Sequence, residues 1–190
     1  MFKRMGIECE ALEKPGRRLI LPLDGGRIEA VLAKGEDVVT YVDHGVCDMG
    51  IVGKDTLEEH PCGVFEVLDL GFGKCRMAVA GRPDSGFFSS GGERTAATKY
   101  DSIARAYFKQ KGMDVRLIHI SGSVELAPLL GLSDVIVDIV ETGDTLRANG
   151  LEVLEEVCPL SARLIINPAA MKLRKSELDA LTAKMEANLK

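Results

Sequence analysis

Short runs of β-branched residues alternate with helix-period patterns along almost the whole chain, and this alternation restricts the fold to the α/β class. Arg17 to Pro22 and Ile28 to Leu32 flank Asp24-Gly25-Gly26 and read as a hairpin. Asp37 to His44 reads as a helix with Val38, Tyr41 and Val42 inward, followed by a buried strand over Val46 to Val52. Strands are expected at Phe65 to Leu70, Lys74 to Ala80, Val115 to Ile120, Val135 to Val140, Leu151 to Cys158 and Arg163 to Asn167. Helices are expected at Asp101 to Lys111, Val124 to Leu130 and Asp144 to Asn149. A last helix carries the stripe Leu178, Leu181, Met185 and Leu189, with Ser176 as its cap. Gly81 to Glu93 is rich in Gly and Ser and reads as a loop.

The chain has 190 residues, enough for one large domain or two small lobes with separate cores. Two crossings, near Cys75 to Arg82 and near Pro159 to Arg163, would give a discontinuous first lobe of residues 1–79 with 161–190. The second lobe would then span 80–160. The expected architecture is two lobes with mixed, mainly parallel sheets. A net charge of -5 sets the overall field against nucleic acid and anionic membranes, while a local group of cations could still take a small anion. No apolar run reaches the roughly 20 residues of a membrane helix, and Met1 to Gly6 lacks the apolar core of a secretory signal. The expected location is the cytoplasm. Cys9, Cys47, Cys62, Cys75 and Cys158 form no C-x-x-C pair and read as free thiols, and His44, His60 and His119 lack ligand spacing. No metal site is expected in the protein itself.

Chemistry concentrates in Val135 to Asn149. An apolar strand runs into Glu141-Thr142-Gly143-Asp144-Thr145-Leu146, which is acid–Thr–Gly–x–Thr at a helix start. Such a turn gathers backbone N–H groups and two hydroxyls around one point, with Gly143 permitting close approach, and suits a phosphomonoester. Carboxylates repel phosphate, so Asp138 and Glu141 at the strand end need another task, such as accepting hydrogen bonds from ribose hydroxyls. A helix cap with a glycine turn is the bland alternative. Ser123 and Glu125 occupy a second strand-to-helix turn. Lys54, Arg76, Lys74 and Lys99 are candidate cations for a pyrophosphate.

These residues resemble a known family. Glu125-Leu126-Ala127-Pro128-Leu129-Leu130-Gly131-Leu132-Ser133-Asp134, running into Val137 to Leu146, is similar to the signature of ATP phosphoribosyltransferase. Asp48 to Asp55, Leu70 to Arg76 and Ala97-Thr98-Lys99-Tyr100 agree with it in order along nearly the whole chain. The resemblance implies the first step of histidine biosynthesis, in which N1 of ATP displaces pyrophosphate from phosphoribosyl pyrophosphate with Mg2+. It implies a fold similar to periplasmic binding protein type II. It also implies a short-form catalytic subunit that forms homo-oligomers and assembles with a histidyl-tRNA-synthetase-like regulatory subunit. On this reading the chain starts inside the family's first helix, at about Phe2 to Gly6, and lacks the strand and basic loop before it. Thr95 stands where the family usually carries a basic residue, with Arg94 one position away. The alternatives are a cytosolic small-anion sensor of the periplasmic-binding-protein type without catalysis and, third, a different phosphoribosyltransferase with a similar Thr-Gly-x-Thr loop.

Overall fold

A computed structural model describes residues 1–89 and 91–189, so only Ser90 of the expected Gly81 to Glu93 loop lies outside the described residues. The chain forms two compact units. The first comprises Met1–Thr56, Cys62–Phe72 and Ala162–Lys190; the second comprises Leu57–Pro61 and Gly73–Ser161. The chain thus passes into the second unit ahead of the strand Cys75–Gly81, earlier than the 79/80 boundary expected from the sequence.

In the first unit a short helix α1 (Glu10–Glu13) precedes the hairpin of β1 (Ile20–Leu23) and β2 (Ile28–Val31), whose turn is a 3-10 segment at Asp24–Gly26. Then come α2 (Gly35–Asp43), β3 (Met49–Gly53), α3 (Lys54–Glu59), which runs on into the second unit, and β4 (Phe65–Asp69). α2 buries Val39 and Val42 and half-buries Val38, so Val38 and Val42 face inward as expected while Tyr41 is exposed. The strand begins at Met49, and Val46 is exposed because Val46 and Cys47 instead donate their N–H groups to the Tyr41 carbonyl at the helix end. Gly50 lets α2 lie against β3, since a Cβ there would stand 2.7 Å from Val38 Cγ1.

The second unit holds β5 (Cys75–Gly81), β6 (Thr95–Thr98), α4 (Asp101–Gln110), β7 (Arg116–His119), α5 (Leu126–Leu129), β8 (Val135–Val140), α6 (Asp144–Ala148) and β9 (Glu152–Leu160). Its sheet has the order β7-β6-β8-β5-β9. Back in the first unit, β10 (Ala162–Ile166) completes the sheet β3-β10-β4, and α7 (Pro168–Leu173) and α8 (Lys175–Ala187) follow.

The α/β class with mixed sheets holds, but the parallel share is smaller than expected. Among the described pairs only β6–β7 and β6–β8 are parallel. The chain enters the second unit along β5 and leaves along β9, so these two strands run in opposite senses and pair antiparallel. β10 likewise returns against both β3 and β4. Another difference lies at the C-terminus. α8 starts at Lys175, and Asn167 is the residue that caps a helix, α7, through Oδ1. That oxygen accepts the N–H groups of Ala169 (2.9 Å) and Ala170 (3.0 Å), while Nδ2 donates to the Val42 carbonyl at 2.8 Å. The Leu178 to Leu189 stripe packs as expected, with Leu178 and Met185 buried and Leu181 and Leu189 against the same cores.

Candidate active site

The parallel strands β7, β6 and β8 point their carboxyl ends to one edge of the sheet, the edge where open α/β sheets take ligands. Three segments leave that edge: Ser121 to Glu125 after β7, Lys99 and Tyr100 after β6, and Glu141 to Thr145 after β8. The faces are set by strand register. Ala78 lies opposite Asp138 and Arg76 opposite Val140, so Ile136, Asp138 and Val140 share a face with Ala78 and Ala80. Val124, Ala127 and Leu146 pack on that face, where four alanines, Ala78, Ala80, Ala97 and Ala127, contribute short side chains.

Asp138 is half-buried on this face, and its Oδ1 accepts the Ile139 N–H at 2.8 Å. Burial holds its carboxyl above the usual range. The Ile139 N–H opposes the shift, the neighbouring Glu125 carboxylate adds to it, and Lys99, one residue beyond β6, pulls it down.

After the buried Val140 the chain turns outward at Glu141 and Thr142, and Gly143 takes the left-handed conformation (φ 77°, ψ 11°) that starts α6. Leu146 returns its side chain to the core, so the loop is fixed at Val140 and Leu146 while its backbone stays open. The Thr142 hydroxyl donates to Asp144 Oδ2 at 2.6 Å and accepts the Asp144 N–H at 3.3 Å. Arg147 reaches back one turn, its Nη2 donating to Asp144 Oδ1 at 2.5 Å and its Nη1 to the Thr142 carbonyl at 3.1 Å. The Thr142 hydroxyl and then Arg147 hold the Asp144 carboxyl below the usual range. N–H groups in the first turn of a helix lack intrahelical partners and, apart from that of Asp144, which goes to the Thr142 hydroxyl, remain for a ligand. The Thr145 hydroxyl has no hydrogen-bond partner among the described residues. Because α6 has five residues, these local donors outweigh any macrodipole.

Glu125 and the continuous run Asp138 to Leu146 line a recess of about 300 Å³. Eight of the sequence candidates therefore share one site: Glu125, Asp138, Glu141, Thr142, Gly143, Asp144, Thr145 and Leu146. Ser123 is outside the lining; it is exposed just before Glu125, with a left-handed φ of 47° that is unusual for a residue with a Cβ. Arg76 stands on β5 with Nε 2.8 Å from Glu156 Oε1 and Nη1 donating to the Glu141 carbonyl at 3.4 Å, so it braces the loop from the adjoining strand. Lys54 belongs to the first unit, where its Nζ donates to Glu66 Oε2 at 2.8 Å. Sequence reasoning misses Arg147, although its (i, i+3) spacing from Asp144 on a helix is a usable signal. A second recess of about 410 Å³, lined by Arg105, Lys109 and Asp114 among others, lies at the opposite strand ends, where α4 leads into β7.

Residues 34–187 match the family described as ATP phosphoribosyltransferase. An ATP phosphoribosyltransferase of Clostridium kluyveri is 50% identical over 189 residues, covering 100% of this chain and 86% of the relative. One from Clostridium botulinum is 52% identical over 180 residues, covering 94% of this chain and 85% of the relative. Among solved structures, the ATP phosphoribosyl transferase (HisG:HisZ) complex from Thermotoga maritima superposes with a TM-score of 0.81 at 32% identity, over 99% of this chain and 90% of that one. The periplasmic VFT2 domain of Bordetella pertussis BvgS shares the fold alone, with a TM-score of 0.56 at 16% identity over 85% of this chain and 70% of that domain. A family match over most of the chain, together with half-identical relatives spanned almost end to end, makes this chain a member of the ATP phosphoribosyltransferase family.

Proposed function

We propose that the chain transfers the 5-phosphoribosyl group from phosphoribosyl pyrophosphate to N1 of ATP and releases pyrophosphate, the first step of histidine biosynthesis. The observation that carries this reading is the single recess in which Asp138 and Glu141 adjoin the open backbone of Thr142 to Leu146. The 5′-phosphate sits against the N–H groups of that loop and the Thr145 hydroxyl. The Thr142 hydroxyl already donates to Asp144, so Thr142 serves first through its backbone. Asp138 and Glu141 accept hydrogen bonds from the ribose hydroxyls, with Ser123 and Glu125 at the neighbouring strand end. Arg76 is the cation of the second unit assigned to pyrophosphate, for which it exchanges its carboxylate partner Glu156.

The adenine nitrogen is already a nucleophile, and the bond to pyrophosphate breaks through an oxocarbenium-like sugar. Catalysis then rests on positioning and on charge arranged in advance. Glu125 and Glu141 offer hard carboxylate oxygens of the kind Mg2+ takes, and no group of three or more His, Cys, Asp or Glu able to hold an ion occurs among the described residues. Glu125 and Glu141 would hold the ion, and its positive charge would offset the negative charge of the phosphates.

On this reading the protein works in the cytoplasm; no helix among the described residues is long and apolar enough to cross a membrane. The chain is then a homo-oligomer that assembles with a histidyl-tRNA-synthetase-like regulatory subunit, supported by the two-component complex found for the Thermotoga maritima relative. The test is formation of phosphoribosyl-ATP from ATP, phosphoribosyl pyrophosphate and Mg2+, with the chain alone and with that subunit. Product under either condition supports the assignment. Binding of both substrates without product under both conditions would overturn it in favour of a non-catalytic binding module.

A further inference from the structure

A phosphate-binding role for this loop meets a difficulty at Asp144. Its carboxylate stands in the first turn of α6, beside the N–H groups that would meet a phosphate dianion, and the two negative charges repel. Arg147 resolves this. One guanidinium spans two partners, with Nη2 on Asp144 Oδ1 at 2.5 Å and Nη1 on the Thr142 carbonyl at 3.1 Å. The same Nη1 would stand 3.2 Å from a Cβ at position 143, so the arginine lies over Gly143 at a distance that suits a residue without a side chain. The Thr142 hydroxyl closes the ring by donating to the other Asp144 oxygen at 2.6 Å. The loop is thereby tied together: the Thr142 carbonyl is held by Arg147, and Asp144 is charge-compensated. Lysine could supply the charge but not the planar fork that serves both acceptors.

We propose that Arg147 is a positioning residue of the phosphoribosyl-binding loop, which neutralises Asp144 and fixes the Thr142 carbonyl so that the loop accepts a dianion. This rests on the assignment of phosphoribosyl pyrophosphate to the recess. The pair itself is exposed, and exposed pairs of this kind contribute little to folding. A purely structural role therefore predicts almost no effect of its removal, while a positioning role predicts a loss confined to one substrate.

Calorimetric titration of the full chain with phosphoribosyl pyrophosphate, and separately with ATP, tests this with Arg147→Gln, Arg147→Lys, Asp144→Asn and the double variant Asp144→Asn/Arg147→Gln. Arg147→Gln is expected to raise Kd for phosphoribosyl pyrophosphate about tenfold, as for other lost charge-assisted contacts, and to leave Kd for ATP within about twofold. Arg147→Lys should fall between wild type and Arg147→Gln, and the double variant should recover most of the loss because the uncompensated carboxylate is gone. Equal weakening toward both ligands, an unchanged Kd in Arg147→Gln, or no recovery in the double variant would overturn the proposal. Should Arg147→Gln fail to fold, the double variant against Asp144→Asn decides. Near-equal Kd values support charge compensation, and a tenfold gap refutes it. A wild-type chain that does not bind phosphoribosyl pyrophosphate refutes instead the assignment on which the proposal rests.

Discussion

Gly143→Ala separates the conformation of the loop from its stability. Gly143 has φ 77°, and a left-handed conformation costs an L-residue about 1–2 kcal/mol. Space adds little, because the nearest atom to a new Cβ is Arg147 Nη1 at 3.2 Å, the far end of a flexible side chain, and the next is Val140 Cγ1 at 3.8 Å. The expected loss is therefore about 1–2 kcal/mol, a fall in Tm of about 3–6 °C for a chain of this size. Gly150 supplies the control. Its φ is 68°, an added methyl would meet nothing within 4 Å, and it is outside the recess lining. Gly150→Ala should lose about the same stability. Only Gly143→Ala displaces Arg147 and turns the loop, so only it should raise KM for phosphoribosyl pyrophosphate, by about tenfold on the scale of one lost charge-assisted contact. Thermal unfolding and steady-state kinetics on both variants provide the measurement. If the two variants lose stability equally and keep the same KM, the loop conformation is irrelevant to substrate and the reasoning fails.

Thr145→Val, which removes a hydroxyl that no described residue engages, should weaken phosphoribosyl pyrophosphate about fivefold to tenfold, the loss of one hydrogen bond, and leave ATP binding unchanged by titration. Glu141→Gln should lower kcat with little change in Tm, because Glu141 is exposed at the strand end; unchanged turnover would remove it from the site. Asp138→Asn should raise Tm at pH 7. A raised folded-state pKa means that the carboxyl costs stability once pH exceeds its unfolded value, so the gain should vanish as pH falls below the ordinary carboxylate range. A pH-independent Tm difference between the two proteins would contradict this. Asn167→Ala strips a helix cap and removes one of the two donors to the Val42 carbonyl, the other being the Gly45 N–H, and should cost about 2 kcal/mol in chemical denaturation.

The elements legible in the sequence are those whose pattern matches one local rule. Val135 to Val140 is a continuous apolar run and forms β8 over those residues. The Asp24-Gly25-Gly26 turn forms between the two strands expected on either side of it. β6 escapes such a rule because Thr95-Ala96-Ala97-Thr98 lacks bulky β-branched residues, although it lies between β7 and β8. Its alanines are small because Ala96 and Ala97 are fully buried beneath packed elements, a demand set by tertiary contacts. Ser176 reads as the cap of the last helix by residue type, but α8 starts at Lys175 and Ser176 lies in its first turn, whereas Asn167 caps the preceding α7 and also reaches Val42 across 125 residues of sequence. At the site, the strand-to-loop run is legible because its residues are contiguous. The pairing of Arg76 with Glu156, and of Lys54 with Glu66, depends on neighbours supplied by other strands and leaves no local mark.

An acidic recess proposed for a polyanionic substrate is less paradoxical than its residues suggest. The four carboxylates differ in how their charge is handled. Asp144 is compensated by Arg147 and adds nothing to repulsion beyond that pair. Asp138 is half-buried, and burial and Glu125 both favour its protonated form. A carboxylate so placed can accept a sugar hydroxyl's hydrogen bond, as its Oδ1 already accepts the Ile139 N–H. Glu141 stays exposed, so water screens it until a ribose hydroxyl replaces that water. The charge is therefore graded along one strand end: damped in the recess floor at Asp138, free to solvate at Glu141, and cancelled at Asp144 where the loop's N–H groups begin. A phosphate would be drawn to the cancelled end and a ribose ring to the acceptor end, which gives the substrate one orientation along the loop without any cation directed at it from β8.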